Sequence, residues 1–310
     1  MRLRSSVGVL AGAAAVLLLS ACGSSGGDDN AAGAAGTSSP AAAIQVVAST
    51  NVYGDIVKQI AGDKAEVTSI ISDPDQDPHS YEANTQTQLA LSKAKVVIEN
   101  GGGYDDFMDT MLKASKNTSA KVLNVVNISG KTAPAGGELN EHVWYDFPTV
   151  EKLATQLAGT LSEVDSANSS TYTANAATFA DKVKQLEATE ASIKTTSNSA
   201  GAAITEPVPL YMLTACGLVN KTPGEFSEAI EEGTDVPAAV LQETLGLFSS
   251  KQVKLLAYNE QTSGPETEKV LAAAKANGVA VVPVTETLPA GKDYLAWMTS
   301  NVDAIRSALS

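Results

Sequence analysis

The sequence predicts an α/β protein of two lobes, each with a mainly parallel sheet flanked by helices, joined by one long rigid helix. Three observations predict it. From residue 44 short β-branched runs alternate with helical patterns, which is the syntax of βαβ units. The same alternation returns after residue 200. Between the two, about 50 residues keep helical periodicity and carry no strand signal.

In the first half "IQVVAST" reads as a strand, "YGDIVKQIAG" as an amphipathic helix and "AEVTSII" as a second strand. Helix-like "TQTQLALSKA", strand-like "KVVIEN", helix-like "YDDFMDTMLKAS" and strand-like "KVLNVV" follow. "FPTVEKLATQLAGTLSEVD" then has apolar residues at helical spacing, with Pro148 in its first turn. "ANSSTYTANAATFADKVKQLEATEASIKTTS" gives a longer helix, with Asn and Ser near its start as capping residues. At about 30 residues it would span roughly 45 Å. It contains neither Gly nor Pro, so a stiff strut is expected rather than a hinge. In the second half the strands are "AGAAIT", "VKLLAYNE" and "VAVVPVTE". The helices are "VPLYMLTACGL", "VPAAVLQETLGLFSS", "PETEKVLAAAKANG", which ends on a capping Gly278, and "DYLAWMTSNVDAIRSALS".

The N-terminus reads as an export signal. Arg2 and Arg4 precede an apolar run from Val7 to Leu19, too short for a comfortable membrane span, and Leu19-Ser20-Ala21-Cys22 is similar to a bacterial lipobox. The Gly, Ser and Ala-rich stretch after Cys22 has nothing to bury and reads as a tether. The expected organisation is therefore a signal peptide over 1–21, a tether over 22–43, an N-terminal lobe over 44–165, a linking helix over 166–198 and a C-terminal lobe over 199–310. Loss of Arg2 and Arg4 with the signal moves the net charge from −14 to −16. Such acidity argues against nucleic-acid binding and favours the attraction of cations. With Cys22 lipidated, Cys216 is left without an intrachain partner and reads as a small buried hydrophobe.

Ligands of open α/β sheets sit beyond the carboxyl ends of strands. Four potentially coordinating residues follow predicted strands or their loops: His79, His142, Glu206 and Glu286. His79 and His142 are the only two histidines of 310 residues. The aspartates before His79 have the D-x-D-x-D spacing of a calcium loop, but Pro78 stands where that loop needs Gly and Asn84 where it needs Glu. Two imidazoles with two carboxylates make a mixed nitrogen and oxygen site for a borderline divalent cation. "ENGGGYDDF" lacks the frame of a phosphate loop and reads as a strand-end turn, with Asp105 and Asp106 as acids of a helix N-terminus. Trp144 and Tyr145 read as packing of the cleft wall. Glu260 either faces the cleft to hold a ligating histidine or is solvated.

The lipobox, "DPHSYE" with "LSKAKVVIENGGGYDDFM", "HVWYDFPTVEKLA", the long helix, "TEPVPLYMLTACGL" and "VTETLP" together resemble the zinc/manganese family (cluster A-I) of ABC-importer solute-binding lipoproteins, over residues 44–310. The resemblance implies two lobes on one rigid helix, with a metal ion between them held by His79, His142, Glu206 and Glu286. It implies Mn²⁺ or Zn²⁺ as cargo, an ABC permease with its ATPase as partner, a lipid anchor at Cys22 outside the bacterial cell membrane, and a monomer. Many zinc members have a histidine where Glu206 stands and a His-rich loop that is missing here. Manganese-type members have Glu there but usually Asp at the last position, where this chain has Glu286. The oxygen-rich set leans toward manganese, although intrinsic affinity runs toward zinc. The rival functions are a metal-dependent surface adhesin and an exported metallohydrolase. The latter would need an open coordination position, and no H-E-x-x-H motif occurs.

Overall fold

The computed structural model describes residues 43–73, 81 and 84–310. The signal peptide, Cys22, nearly all of the tether, and the loop with Asp75, Pro78 and His79 lie outside the described residues. The N-terminal half runs β1 (Ile44–Thr50), α1 (Asn51–Ala61), β2 (Ala65–Ile71), α2 (Thr85–Lys93), β3 (Val96–Glu99), α3 (Phe107–Ser115), β4 (Lys121–Asn124), α4 (Val125–Ser129) and α5 (Phe147–Val164). Helix α6 (Ser169–Ser197) leads to the C-terminal half. That half holds β5 (Gly201–Ile204), α7 (Leu210–Ala215), β6 (Val219–Asn220), α8 (Gly224–Glu231) and α9 (Ala238–Ser249). It ends with β7 (Leu255–Asn259), α10 (Pro265–Ala276), β8 (Ala280–Val284) and α11 (Tyr294–Ala308).

Each half carries a four-stranded parallel sheet, in the orders β2-β1-β3-β4 and β6-β5-β7-β8. The two orders are the same topology repeated. In each, the chain reverses direction of winding beside its first strand, so the ligand crevice falls between β1 and β3 and between β5 and β7.

Strand alternation builds the layers. Val46 and Ala48 of β1, Val96 and Ile98 of β3, Ala202 and Ile204 of β5 and Leu255 and Ala257 of β7 all enter one core cluster shared by both halves. Helices α1, α5, α6 and α11 pack into the same cluster. The alternate residues Val47 and Val97 face a separate cluster under α2 and α3, and Ala203 and Leu256 face another under α8, α9 and α10. The continuous middle layer ties the two halves together.

Helix α6 buries Tyr172, Ala176, Phe179, Val183, Leu186, Glu190, Ile193 and Ser197, an unbroken alternation of three and four that keeps one face on the core. Its expected side-chain cap is not made. Asn168 occupies the N-cap position but its amide donates to Asp165 Oδ2 at 2.6 Å, beside Tyr172 Oη at 2.7 Å from the same oxygen. Gly278 behaves as expected: with φ of +67° it follows α10 and lets Val279 N bond back to Ala274 O at 2.9 Å. "KVLNVV" divides, because Asn124 turns the strand into α4 by accepting from Asn127 N at 2.9 Å.

Candidate metal centre

The site forms where the carboxyl ends of both sheets meet. Glu206 stands two residues past β5 and Glu286 two residues past β8, each 3% exposed. Between them, at the end of β7, is the buried Asn259. Its Nδ2 donates to Glu206 Oε2 and, at 3.0 Å, to Glu286 Oε1. The amide is held in that sense because its Oδ1 accepts from Gln261 N at 3.1 Å, while Asn259 N donates to Thr205 Oγ1 at 2.9 Å. Gln261 Oε1 in turn takes the N–H of Glu286 at 2.5 Å. Two strand-end carboxylates are thus aimed at one point by a network of amides.

The N-terminal half faces them with aromatic rings and an imidazole. Gly101, Gly102 and Gly103 after β3 have φ of +77°, +71° and +101°, and this turn presents Tyr104 to Glu286. Burial, then Glu286, Tyr53 and Asp105, push the Tyr104 phenol well above its usual range. His142 is fully buried, edge-on to Tyr104 and Trp144 at 5.9 and 5.1 Å. Its Nδ1 lies 2.8 Å from Asn140 Oδ1. That oxygen also accepts from His142 N at 3.0 Å, and Asn140 Nδ2 donates to Pro207 O at 3.1 Å, so the amide cannot be reversed. Nδ1 therefore carries the proton and Nε2 presents its lone pair.

Glu231 Oε1, at the end of α8, is 3.6 Å from His142 Nε2. One ligating atom from each of Glu141, His142 and Glu231 lies within 4.8 Å of the others. Burial, then Glu141, Glu206, Glu286 and Glu228, push the Glu231 carboxyl up to about 9. Four acids thus act on Glu231, and a bound cation would relieve the repulsion. A cavity of about 350 Å³ beside this cluster is lined by Glu138, Glu141, Glu228, Glu231 and Glu232, with no Lys or Arg among its lining residues. Its field draws cations inward.

The halves are stitched around this centre. Asn51 exchanges two hydrogen bonds with the Leu288 backbone at 3.0 and 2.9 Å. Tyr145 Oη donates to Thr285 O at 2.8 Å, Tyr294 Oη to Trp144 O at 2.6 Å and Tyr211 Oη to Asn140 O at 2.7 Å.

Residues 46–308 match the ZnuA family, described as the zinc-uptake complex component A, periplasmic. The chain belongs to this family. It is similar to the metal ABC transporter substrate-binding lipoprotein ScbA of Streptococcus cristatus, 29% identical over 158 residues, which are 47% of this chain and 50% of that protein. The manganese-binding lipoprotein MntA of Halalkalibacterium halodurans is 29% identical over 148 residues, 46% of this chain and 47% of that one. The chain thus spans about half the length of the curated relatives it matches. The periplasmic zinc-binding protein TroA of Treponema pallidum shares the fold with a TM-score of 0.72 at 20% identity, covering 86% of this chain and 99% of that one.

Within this ZnuA-family fold, His142, Glu206 and Glu286 are all buried, with Tyr104 against both the His142 ring and Glu286, while His79 lies outside the described residues. Glu260 is exposed, and the neighbouring Asn259 holds the carboxylates instead. Asp106 stands at the N-terminus of α3 as its N-cap residue, without a side-chain capping bond, and Asp105 precedes it. Asp105 is 2% exposed and clamps the glycine turn, accepting from Asn100 N at 2.6 Å and Gly101 N at 2.7 Å. Trp144 and Tyr145 are buried in the wall between the halves, and Cys216 is buried, its thiol pushed up to about 12 chiefly by burial. Sequence reasoning missed Asn140, Glu141 and Glu231. It placed Asn259 at a strand end beside Glu260 but gave the cleft role to Glu260.

Proposed function

We propose that the protein captures a divalent transition metal, Mn²⁺ or Zn²⁺, outside the bacterial cell membrane and hands it to an ABC permease driven by its ATPase. His142, Glu206 and Glu286 would hold the ion together with His79. The observation that carries this reading is the convergence of two buried carboxylates on one amide, in the pocket where His142 keeps its Nε2 lone pair inward. Family membership and the names of the relatives, which cover metal, manganese and zinc binding, support it. The protein would act as a monomer, anchored by lipid on Cys22 through the 22–43 tether, with lobes over 44–165 and 199–310 on the 166–198 helix. No bond of a substrate is made or broken; capture and release are the whole mechanism.

Calorimetric titration of metal-stripped protein with Mn²⁺ and Zn²⁺ tests it. His79→Ala, His142→Ala and Glu206→Ala should each weaken binding by roughly tenfold or more, about 1.4 kcal/mol at least. Asp75→Ala should cost much less. If Asp75→Ala abolishes binding and the histidine variants do not, the centre is an oxygen site on the 73–84 loop and the assignment fails.

A further inference from the structure

We propose that Glu231 is itself a ligand of the captured ion, a third carboxylate that biases the centre toward manganese over zinc. The inference rests on the metal-site reading above and adds a coordinating group from α8.

The first support is geometric. Asn140 fixes the proton on His142 Nδ1, so the lone pair of Nε2 faces Glu231 Oε1 across 3.6 Å. That gap is too long for a hydrogen bond. It suits two ligands of a shared ion: with bonds of about 2.1–2.2 Å, the separation corresponds to an angle of roughly 110–120° at the metal. Second, Glu231 Oε1 is buried and has no hydrogen-bond partner. Third, Glu231 ends α8, where the helix dipole disfavours an anion, and no basic residue stands in the last turn to compensate. Helix stability therefore does not explain the acid. Fourth, Glu231 lines the acidic cavity together with Glu141, and both carboxylates lie beside His142.

The chemistry gives the direction of the bias. Zn²⁺ is satisfied by four ligands in a tetrahedron, whereas Mn²⁺ suits oxygen donors and higher coordination. Beside the imidazole of His142 and the carboxylates of Glu206 and Glu286, a third carboxylate makes the donor set richer in oxygen, which serves manganese more than zinc.

The test titrates wild-type protein, Glu231→Gln, Glu225→Gln and His142→Ala with Mn²⁺ and Zn²⁺ separately. Glu225 is exposed on the same helix, does not line the acidic cavity, and controls for loss of charge alone. Glu231→Gln should weaken Mn²⁺ by roughly tenfold or more and Zn²⁺ by less than about threefold, with Glu225→Gln changing either by no more than about twofold. Equal losses for both metals, no loss for either, or an equal effect of Glu225→Gln would overturn the assignment. The visible spectrum of Co²⁺-loaded wild-type protein gives a readout that does not depend on the variant folding. Weak bands of five- or six-coordinate cobalt support the proposal, and intense four-coordinate bands refute it. If His142→Ala binds both metals as wild type does, the underlying metal-site reading has failed. If only Glu231→Gln is silent, the failure is confined to Glu231.

Discussion

Glu190 offers the sharpest physical test of the fold. It sits on the buried stripe of α6, 4% exposed, between Leu186 and Ile193, and its Oε1 has no hydrogen-bond partner. Burial first, then the nearby Glu187 and Asp146, raise its carboxyl from 4.5 to about 9. Lys194 and Tyr211 line the same cavity of about 270 Å³. In the folded protein the group is thus protonated at neutral pH, while in the unfolded chain it ionises near its ordinary value. The folded state binds the extra proton between those two values, so stability falls as pH rises. The contribution is fully present below about pH 4.5, declines by about 1.4 kcal/mol per pH unit, and is exhausted above about pH 9.

Glu190→Gln removes this titration and keeps the shape. Between pH 5 and pH 8 the variant should gain on the order of 4 kcal/mol relative to wild type. For a domain of this size that is roughly 10 °C in Tm. Urea and thermal unfolding of both proteins at the two pH values, with a chelator present so that bound metal adds nothing, measures the difference. A stability gap that does not change with pH would refute the reasoning, because it would mean that Glu190 ionises alike in the folded and unfolded chain.

Two further outcomes are expected. Asn259→Ala leaves Glu206 and Glu286 facing each other without their shared donor, so the metal-free protein should lose about 1–3 kcal/mol in urea unfolding. Saturating metal should restore most of the loss, since the ion replaces the amide as the group that joins the carboxylates. The acidic cavity should speed cation capture, so the association rate measured by stopped flow should fall with added salt. Combining Glu138→Gln, Glu228→Gln and Glu232→Gln should flatten that salt dependence while leaving the dissociation rate nearly unchanged.

The sheets were legible because parallel strands buried on both faces read as short apolar runs, and "KVVIEN" and "VKLLAYNE" are of that kind. What the runs could not show was their order or the sharing of one core by both halves, which depend on contacts far apart in sequence. Strand β6 has only two residues and carries no period to read. Helix α8 was readable in part, since Phe226, Ala229 and Ile230 follow Pro223 at helical spacing. Glu190 was visible too, as one acid inside the three-and-four apolar alternation of α6. The same stripe that identifies a buried helix face identifies the acid it buries.

The same distinction explains which parts of the centre could be read. Glu206, Asn259 and Glu286 lie at or within two residues of the carboxyl ends of β5, β7 and β8, the side of an open α/β sheet where ligands bind. A strand assignment therefore puts them on that side, but not which of two neighbours turns inward: Asn259 is buried and Glu260 is exposed. His142 could be suspected from its rarity, but its tautomer is set by Asn140, whose amide is oriented by a backbone carbonyl of the other half. Glu231 is further out of reach. Its helix follows a two-residue strand, and only the packing of α8 beside the 138–141 loop brings its carboxylate to the imidazole. Groups delivered by the sheet are local statements that a sequence can make. Groups delivered by helix docking are tertiary statements, and in this protein they are the ones proposed to tune which metal is held.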